Sequence, residues 1–143
     1  MPDPTVPADV RDVIDSGRLA HLVTINADGS PHVTVVWAGM DEDEIVIGKL
    51  AEDQKVRNIR RDGRVAVSFE ADGDHMGMQH YVVVEGTARV VAGGAPALLQ
   101  TLAERYIGPG VQFPPMPEPP DGFTIRITPR RVRGMGPWNT PAG

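Results

Sequence analysis

Residues 48–69, GKLAEDQKVRNIRRDGRVAVSF, carry a concentration of positive charge. The formal net charge of the whole chain is −5, so an acidic protein has gathered its cations in one stretch. Such a concentration indicates an anion-binding site. The alternative is that these side chains are solvated helix residues that only aid solubility. Six of the fourteen basic residues lie here: Lys49, Lys55, Arg57, Arg60, Arg61 and Arg64.

The local structure around this charge is predicted from the same residues. An apolar run at residues 45–47 ends at Gly48, and residues 52–62 then have the pattern of a short helix that stops at Gly63. Acidic residues come first and basic residues last, which is the order that the helix dipole favours. The basic stretch is therefore expected to contain a strand end, a turn and a helix.

The helical period of this segment predicts which cations face a site. At about 100° per residue, Val56 and Ile59 form a narrow apolar stripe. Lys55 and Arg60 flank the stripe, so their stems are expected to bring charge to the rim of the surface on which the helix packs. The other two arginines of the helix are expected to point into water, namely Arg57 and Arg61.

The composition indicates one sheet-rich domain. Hydrophobic residues make up 41% of the 143 residues and aromatic residues only 5%, so the core must consist mainly of Val, Ile, Leu and Ala. Cores of this kind suit sheets. A chain of this length is barely long enough for two domains, and we expect residues 1–143 to form a single one.

Composition also excludes several classes of protein. The chain has no cysteine, so no disulfide framework or thiolate chemistry is expected, which is consistent with a cytoplasmic protein. The N-terminus, MPDPTVPADV, is acidic and broken by proline. No apolar run approaches the roughly 18 residues of a membrane span, so neither a signal peptide nor a span is expected. A pI of about 5.3 argues against nucleic-acid binding.

The order of predicted elements gives the fold class. Helices are predicted at residues 7–15, 52–62 and 94–107. About six strands are predicted, at residues 19–25, 32–38, 44–50, 64–70, 79–91 and 122–133, the last being one strand or a pair broken at Pro129. Asp28-Gly29 predicts a tight hairpin and Glu85-Gly86 a bulge or a bend that lets a sheet curl. We therefore expect a mainly β fold, an antiparallel barrel with short helical covers.

Three connecting segments and the C-terminal tail complete this organisation. Residues 41–43 predict a turn, and the acidic, Gly-rich residues 71–78 predict a loop. Residues 111–121, VQFPPMPEPPD, predict a surface loop of polyproline character, either a lid over a site or a connector. Trp138 in the tail is expected to dock on this chain or on a partner.

The sequence lacks the familiar catalytic motifs. It contains no GxSxG, HExxH, P-loop or GxGxxG pattern. Asp72, Asp74 and His75 are the one group whose types suit a metal, but acidic Gly-rich loops of this kind are more often turns, and no metal site is expected. The sequence offers few candidates for a catalytic acid or base, which indicates that a bound cofactor would carry out any reaction.

Three stretches taken in order resemble a known family. The hairpin at residues 19–38, the run KVRNIRRDGRVAVSF and the later HYVVVEGTARVV are similar to the pyridoxamine 5′-phosphate oxidase-like superfamily, and within it to the coenzyme F420-dependent flavin/deazaflavin oxidoreductases. The resemblance covers the chain from the first helix to about residue 133. It implies an FMN-binding split β-barrel that forms a homodimer with its cofactor at the subunit interface.

The resemblance also implies which residues bind the cofactor. The family's phosphate-binding lysine falls on Lys55, with Asn58 and Arg60 as supports of the phosphate and tail. His80 and Trp138 would reach the ring of the other subunit, with packing as the alternative. Trp37 alternates onto the other face of its strand and is expected only to pack. The residues that would line the tricyclic ring are His32, Thr34, Val36, Gly48, Lys49 and Leu50.

These implications lead to one expected function and two alternatives. The first is an oxidoreductase that transfers a hydride from reduced F420 to a small, planar, unsaturated acceptor. The second is an FMN-binding flavoprotein of the same fold, and the third is a protein that binds a flavin or deazaflavin without turnover. The chain ends without the Arg-containing substrate-phosphate motif of pyridoxamine 5′-phosphate oxidases, so vitamin B6 oxidation is not expected. The basic stretch has more cations than one phosphate needs. This surplus favours F420, which has a longer anionic tail than FMN.

Overall fold

The computed structural model describes residues 6–138 and shows a mainly β fold. Its helices are α1 (Ala8–Ile14), α2 (Gln54–Arg61) and α3 (Ala95–Tyr106). Its strands are β1 (Ala20–Ile25), β2 (Pro31–Val36), β3 (Gly39–Asp41), β4 (Glu44–Lys49), β5 (Arg64–His75), β6 (Met78–Ala92) and β7 (Phe123–Met135). All three predicted helices and all six predicted strands are present, together with one short strand that the sequence did not indicate.

The seven strands form one antiparallel sheet in the order β2-β1-β5-β6-β7-β4-β3. Within residues 6–138 no ladder joins β2 to β3, so the sheet curls without closing. The antiparallel prediction is confirmed, and the expected barrel is open between these two strands. Of the two edge strands, β2 contributes to the site described below.

The β1–β2 hairpin forms as its turn residues predict. The backbone N–H of Asn26 donates to the carbonyl oxygen of Ser30 at 2.8 Å, and the N–H of Ser30 donates to Oδ1 of Asp28 at 3.0 Å. Gly29 has a φ of +88°, which costs little without a Cβ. The turn sets the register in which Leu22 pairs with Thr34 and Thr24 with His32.

The bulge predicted at Glu85-Gly86 is confirmed. Glu85 pairs with Arg131 and Gly86 with Pro129, so Arg130 is an extra residue in β7. A Cβ at position 86 would lie 2.3 Å from the carbonyl oxygen of Thr128, a close approach that only glycine permits. Pro129 lies at this irregularity, where a missing N–H is tolerated, and β7 therefore runs through it as one strand.

The structure corrects two predicted connections. The loop expected at residues 71–78 is wrong, because β5 continues to His75 and β6 begins at Met78. Met76 and Gly77 turn the chain with φ values of +52° and +84°, so strand pairing persists where the acidic, Gly-rich composition had indicated a loop. Within the described chain, no three His, Cys, Asp or Glu side chains are close enough to hold a metal. The other correction is β3, a three-residue strand that hydrophobic alternation cannot reveal.

The core lies between the curled sheet and the helices. Leu22, Phe69, Val84 and Ile127 belong to it and are at most 1% exposed. Residues with branched aliphatic side chains dominate the core, as the composition indicated. No helix within residues 6–138 combines the length and apolar character needed to cross a lipid bilayer.

Candidate functional site

A cleft of about 420 Å³ opens beside the N-terminus of α2. Its size is in the range of small-molecule sites, roughly 300–1,000 Å³. It is lined by the end of β2, the end of β4 with the following turn, and single residues of α2, α3 and the Pro-rich segment. The lining residues are Val35, Val36, Trp37, Ile47, Gly48, Lys49, Leu50, Ala51, Lys55, Leu99 and Phe113.

Asp53 organises the polar end of this cleft. It is the N-cap of α2, and its Oδ1 accepts a hydrogen bond from the N–H of Val56 at 3.2 Å. Its other oxygen, Oδ2, lies 2.7 Å from Nζ of Lys55 and 2.9 Å from Nζ of Lys49. Burial alone raises the pKa of Asp53, but the hydrogen bonds from Lys55 and Lys49 outweigh it and bring the pKa to about 2. Two ammonium groups are thus held side by side at the wall of an apolar cleft.

The predicted helical wheel is confirmed for Val56, Ile59 and Lys55. Val56 and Ile59 are 0% and 4% exposed, and Lys55 beside them is 7% exposed with its ammonium at the cleft. Gly48 also lines the cleft, and it permits a close approach to α3. A Cβ at position 48 would lie 3.0 Å from Cγ of Leu99. The turn after β4, the helix α2 and the helix α3 therefore meet closely at this point.

Arg60 occupies a different position from Lys55. Its guanidinium is paired with Glu52 and lies 5.1 Å from the centroid of the Phe123 ring. Nearly half of the Arg60 side chain is exposed, and it is not among the residues that line the cleft. A contact between Arg60 and the tail of a bound cofactor stays a prediction. It would require Arg60 either to leave Glu52 or to bind Glu52 and the tail at the same time.

Asn58 is fully buried and bonded on every side. Its Nδ2 donates to Oγ1 of Thr24 and to Oδ1 of Asn26, each at 3.0 Å. Its Oδ1 accepts from Nε2 of Gln54 at 2.8 Å and from Nη2 of Arg61 at 3.1 Å. The predicted support of a phosphate by Asn58 is therefore untested, and the side chain has its hydrogen-bonding capacity used within the chain.

Arg61 lies on the exposed face of α2 and is also bonded to neighbouring elements. Its guanidinium donates to the carbonyl oxygen of Ile25 as well as to Asn58, so it ties the end of α2 to β1. Arg61 is nevertheless exposed, as predicted, and its bonds to the sheet are a feature that the wheel did not indicate. Arg57 is exposed as predicted, with 52% of its side chain accessible.

The three β2 residues expected to line a ring share one face of that strand. Val36 lines the cleft, and His32 and Thr34 precede it at alternate positions. Nδ1 of His32 and Oγ1 of Thr34 are buried and have no hydrogen-bond partner among the described residues. Buried polar atoms without a partner are unusual, since leaving one costs roughly 1–3 kcal/mol. This face therefore has unused hydrogen-bonding capacity, but neither His32 nor Thr34 lines the cleft, and His32 lies in a separate depression beside Asn26 and Gln54.

His80 and Trp138 lie together but away from the cleft. Their rings meet edge to face with centroids 6.0 Å apart, and Nε1 of Trp138 donates to the carbonyl oxygen of Tyr81 at 3.0 Å. They line a separate depression of about 360 Å³ that also includes Arg18 and Asp72. Docking of the tail tryptophan on its own chain is confirmed, and contact with the ring of another subunit stays a prediction.

Asp53, Trp37 and Phe113 are among the residues at the cleft that sequence reasoning missed. Asp53 was read only as part of the acidic helix start, although its spacing from Lys49 and Lys55 contained the information. Trp37 lines the cleft because β2 ends at Val36, so strand alternation no longer applies to it. Phe113 reaches the cleft from a segment without regular structure, and no local pattern locates such a residue.

Several solved structures of other proteins have the same architecture as this chain. An F420 reductase has a TM-score of 0.72 and 26% identity, covering 90% of this chain and 98% of its own. The conserved hypothetical protein Rv2991 from Mycobacterium tuberculosis has a TM-score of 0.73 and 31% identity, covering 99% and 94% of the two chains. HupZ from Group A Streptococcus, at 18% identity and a TM-score of 0.67 over 97% of this chain and 100% of its own, shows the fold alone.

The family itself follows from the sequence comparison. The model of the pyridoxamine 5′-phosphate oxidase family matches residues 6–136, nearly the whole described chain. With the F420 reductase and Rv2991 as neighbours, the resemblance to the flavin/deazaflavin oxidoreductase branch is confirmed. The open antiparallel sheet with three short helices is accordingly the split barrel of this superfamily. This chain belongs to the pyridoxamine 5′-phosphate oxidase family.

Proposed function

We propose that this protein is a cytoplasmic F420-dependent reductase that transfers a hydride from reduced F420 to a small unsaturated acceptor. Residues 1–143 would form one cofactor-binding domain of a homodimer. The observation that carries the proposal is the pair Lys49 and Lys55, held beside each other on Asp53 at the wall of an apolar cleft. The neighbouring F420 reductase structure, aligned over 90% of this chain, supports the choice of cofactor.

The residues of the cleft fit such a cofactor. Lys49 and Lys55 supply ammonium donors for a phosphate, and charge-assisted bonds of this type are the strong ones. The apolar residues of β2 and β4 supply a surface for a planar ring. Outside the cleft's lining, on the same face of β2 as Val36, the buried atoms Nδ1 of His32 and Oγ1 of Thr34 lack partners within residues 6–138 and would offer hydrogen bonds to a polar ring edge that extends along the strand.

The proposed chemistry places few demands on the protein. Bound reduced F420 would supply the hydride, and a proton from solvent would complete the reduction of the acceptor. Lys49 and Lys55 are the only titratable residues that line the described cleft, and the Asp53 carboxylate beside them, with a pKa of about 2, is ionised and has no proton to donate. The chain's own part is to hold the anion, orient the ring and keep water from the apolar wall.

A second copy of the chain would cover an exposed apolar edge. Val33 and Val35 on the edge strand β2 are 58% and 54% exposed, and Val35 also lines the cleft. Branched aliphatic side chains on a free strand edge favour association. A homodimer formed here would bring a partner chain next to the cleft, in agreement with a cofactor at the interface.

FMN is the second candidate cofactor. The match to the pyridoxamine 5′-phosphate oxidase family favours it, because that family binds flavins. FMN ends in one compact phosphate, whereas F420 has a phosphodiester and a polyglutamate tail. Arg60, a further cation of the same stretch beyond the lysine pair, favours the longer anion.

Titration of the cofactor-free protein with F420 and with FMN tests the proposal. We expect tighter binding of F420, followed by its fluorescence, and a preference that shrinks as salt screens the exposed tail contacts. Reduced F420 should then be oxidised in the presence of an acceptor, which a protein that only sequesters the cofactor would not do. Tighter binding of FMN that is indifferent to salt would replace the F420 assignment with the flavoprotein.

A further inference from the structure

The Pro-rich segment, residues 111–121, is bonded to the start of α3 at Asp121, and the part around Phe113 is bonded to α3 through the amide side chain of Gln100. Gln100 donates from Nε2 to the carbonyl oxygen of Val111 at 2.8 Å. The same side chain accepts at Oε1 from the backbone N–H of Phe113, also at 2.8 Å. Because one rigid amide makes both bonds, Gln100 sets the position of the backbone around Phe113 relative to the helix.

Phe113 contacts an indole that is itself held in place. The ring centroids of Phe113 and Trp37 are 5.2 Å apart, with their planes at 53°. Trp37 also stacks on Tyr106, at 5.3 Å and 12°. The Tyr106 hydroxyl accepts from the N–H of Ala38 at 3.0 Å and donates to the carbonyl oxygen of Arg18 at 2.7 Å. Phe113, Trp37 and Tyr106 therefore form one aromatic cluster, which is held in place by α3 and by the end of β2.

Trp37 and Phe113 give the cleft an aromatic wall in addition to its lysine pair. Both rings are half-buried and line the same space as Lys49 and Lys55. In the proposed function the lysines are engaged by the anionic cofactor. Apart from them, the cleft's lining among residues 6–138 is uncharged, so a second molecule at the aromatic wall would find no partner for a charge of its own.

We propose that Trp37 and Phe113 form the subsite for the hydride acceptor and that Gln100 is a positioning residue that holds Phe113. The inference rests on the proposed function and deepens it by naming the acceptor class. The acceptor is planar, conjugated and uncharged, because aromatic faces favour such molecules and the wall offers no counter-charge. Phe113 brings the Pro-rich segment to the wall of the acceptor site, and Gln100 holds the backbone on both sides of that wall.

Binding of a probe to the cofactor-free protein tests the subsite directly. The probe is 1,4-naphthoquinone, with 1,4-naphthoquinone-2-sulfonate as its charged counterpart. In a Trp138→Phe background Trp37 is the remaining tryptophan, and its fluorescence reports binding at the wall. We expect Phe113→Ala to weaken binding of the neutral quinone about fivefold to tenfold. Met116→Ala, an exposed change in the same segment, should leave the affinity unchanged.

Kinetics and cofactor affinity separate this inference from the proposed function. Phe113→Ala and Gln100→Ala should raise KM for the quinone, with kcat less affected and the Kd for F420 unchanged. If the wild type binds the quinone through Phe113 but does not bind F420, the proposed function fails and the subsite stands. If F420 binds and turns over while Phe113→Ala leaves both the quinone affinity and KM unchanged, the subsite is wrong. Failure of the wild type to bind the neutral quinone, or tighter binding of the sulfonate in the presence of F420, also overturns it.

Discussion

The ammonium of Lys55 lies 2.7 Å from Oδ2 of Asp53, the residue that caps the helix on which Lys55 lies. The stem of this lysine is buried, with only 7% of the residue exposed. Its charge is therefore positioned before any ligand arrives, and an entering anion would order little additional side chain. Preorganised donors of this kind lose less conformational entropy on binding than flexible surface lysines.

Removal of the Lys55 charge should weaken cofactor binding. Lys55→Met keeps the buried stem and deletes the ammonium, so a charge-assisted bond to phosphate is lost. The expected cost is roughly 1.5–3 kcal/mol, or about tenfold to a hundredfold in Kd. Fluorescence titration with F420 measures it. Arg57→Met is the matched control, because Arg57 lies on the exposed side of the same helix. Equal losses in the two variants would mean that Lys55 has no special role.

Asp53 should contribute pH-dependent stability that Asn cannot replace. Its pKa of about 2 in the folded protein lies below the roughly 3.9 of an unfolded Asp. The ionised carboxylate therefore stabilises the fold above about pH 4, and this contribution is lost as the pH falls towards 2. Asp53→Asn keeps an acceptor for the helix cap but removes the charge.

Urea unfolding of wild type and Asp53→Asn at several pH values measures this contribution. The difference in free energy of unfolding should be about 1 kcal/mol near neutral pH, because both ion pairs are partly exposed. It should shrink between about pH 4 and pH 2. A difference that persists unchanged down to about pH 2 would show that the charge is not its source.

Substitution of Asn58 should affect stability before it affects cofactor binding. Asn58→Ala leaves the buried Thr24 hydroxyl and the Asn26 amide without their partner. The expected loss is roughly 1–3 kcal/mol in the free energy of unfolding, measured with urea. Unchanged stability together with weaker F420 binding would instead assign Asn58 to the cofactor, as the family resemblance implies.

A charge on the edge strand should disrupt the proposed dimer. Val33→Glu places a carboxylate on an exposed apolar position of β2 and should shift the protein to monomer, measured by light scattering at micromolar concentration. Ile107→Glu is the control, because Ile107 is equally exposed, at 57%, but follows α3. A wild type that is monomeric with cofactor bound would contradict the proposal directly.

Several elements were determined by the sequence alone because their causes are local. The Asp28-Gly29 turn and the Val56–Ile59 stripe each depend on residues within a few positions of one another. Hydrophobic periodicity and turn chemistry act at this range. The charge concentration around Lys55 likewise identified the part of the chain that forms the cleft.

Only the tertiary structure decided which distant residues meet at that cleft. Phe113 reaches Trp37 across more than seventy positions, through contacts that Gln100 makes on α3. The separation of His80 from Lys55 and the fourfold hydrogen bonding of Asn58 also come from packing between elements. Such contacts depend on the order of strands in the sheet and on how helices close over it. Neither the strand order nor the packing of the helices can be inferred from local residue patterns, because many strand orders are compatible with the same pattern.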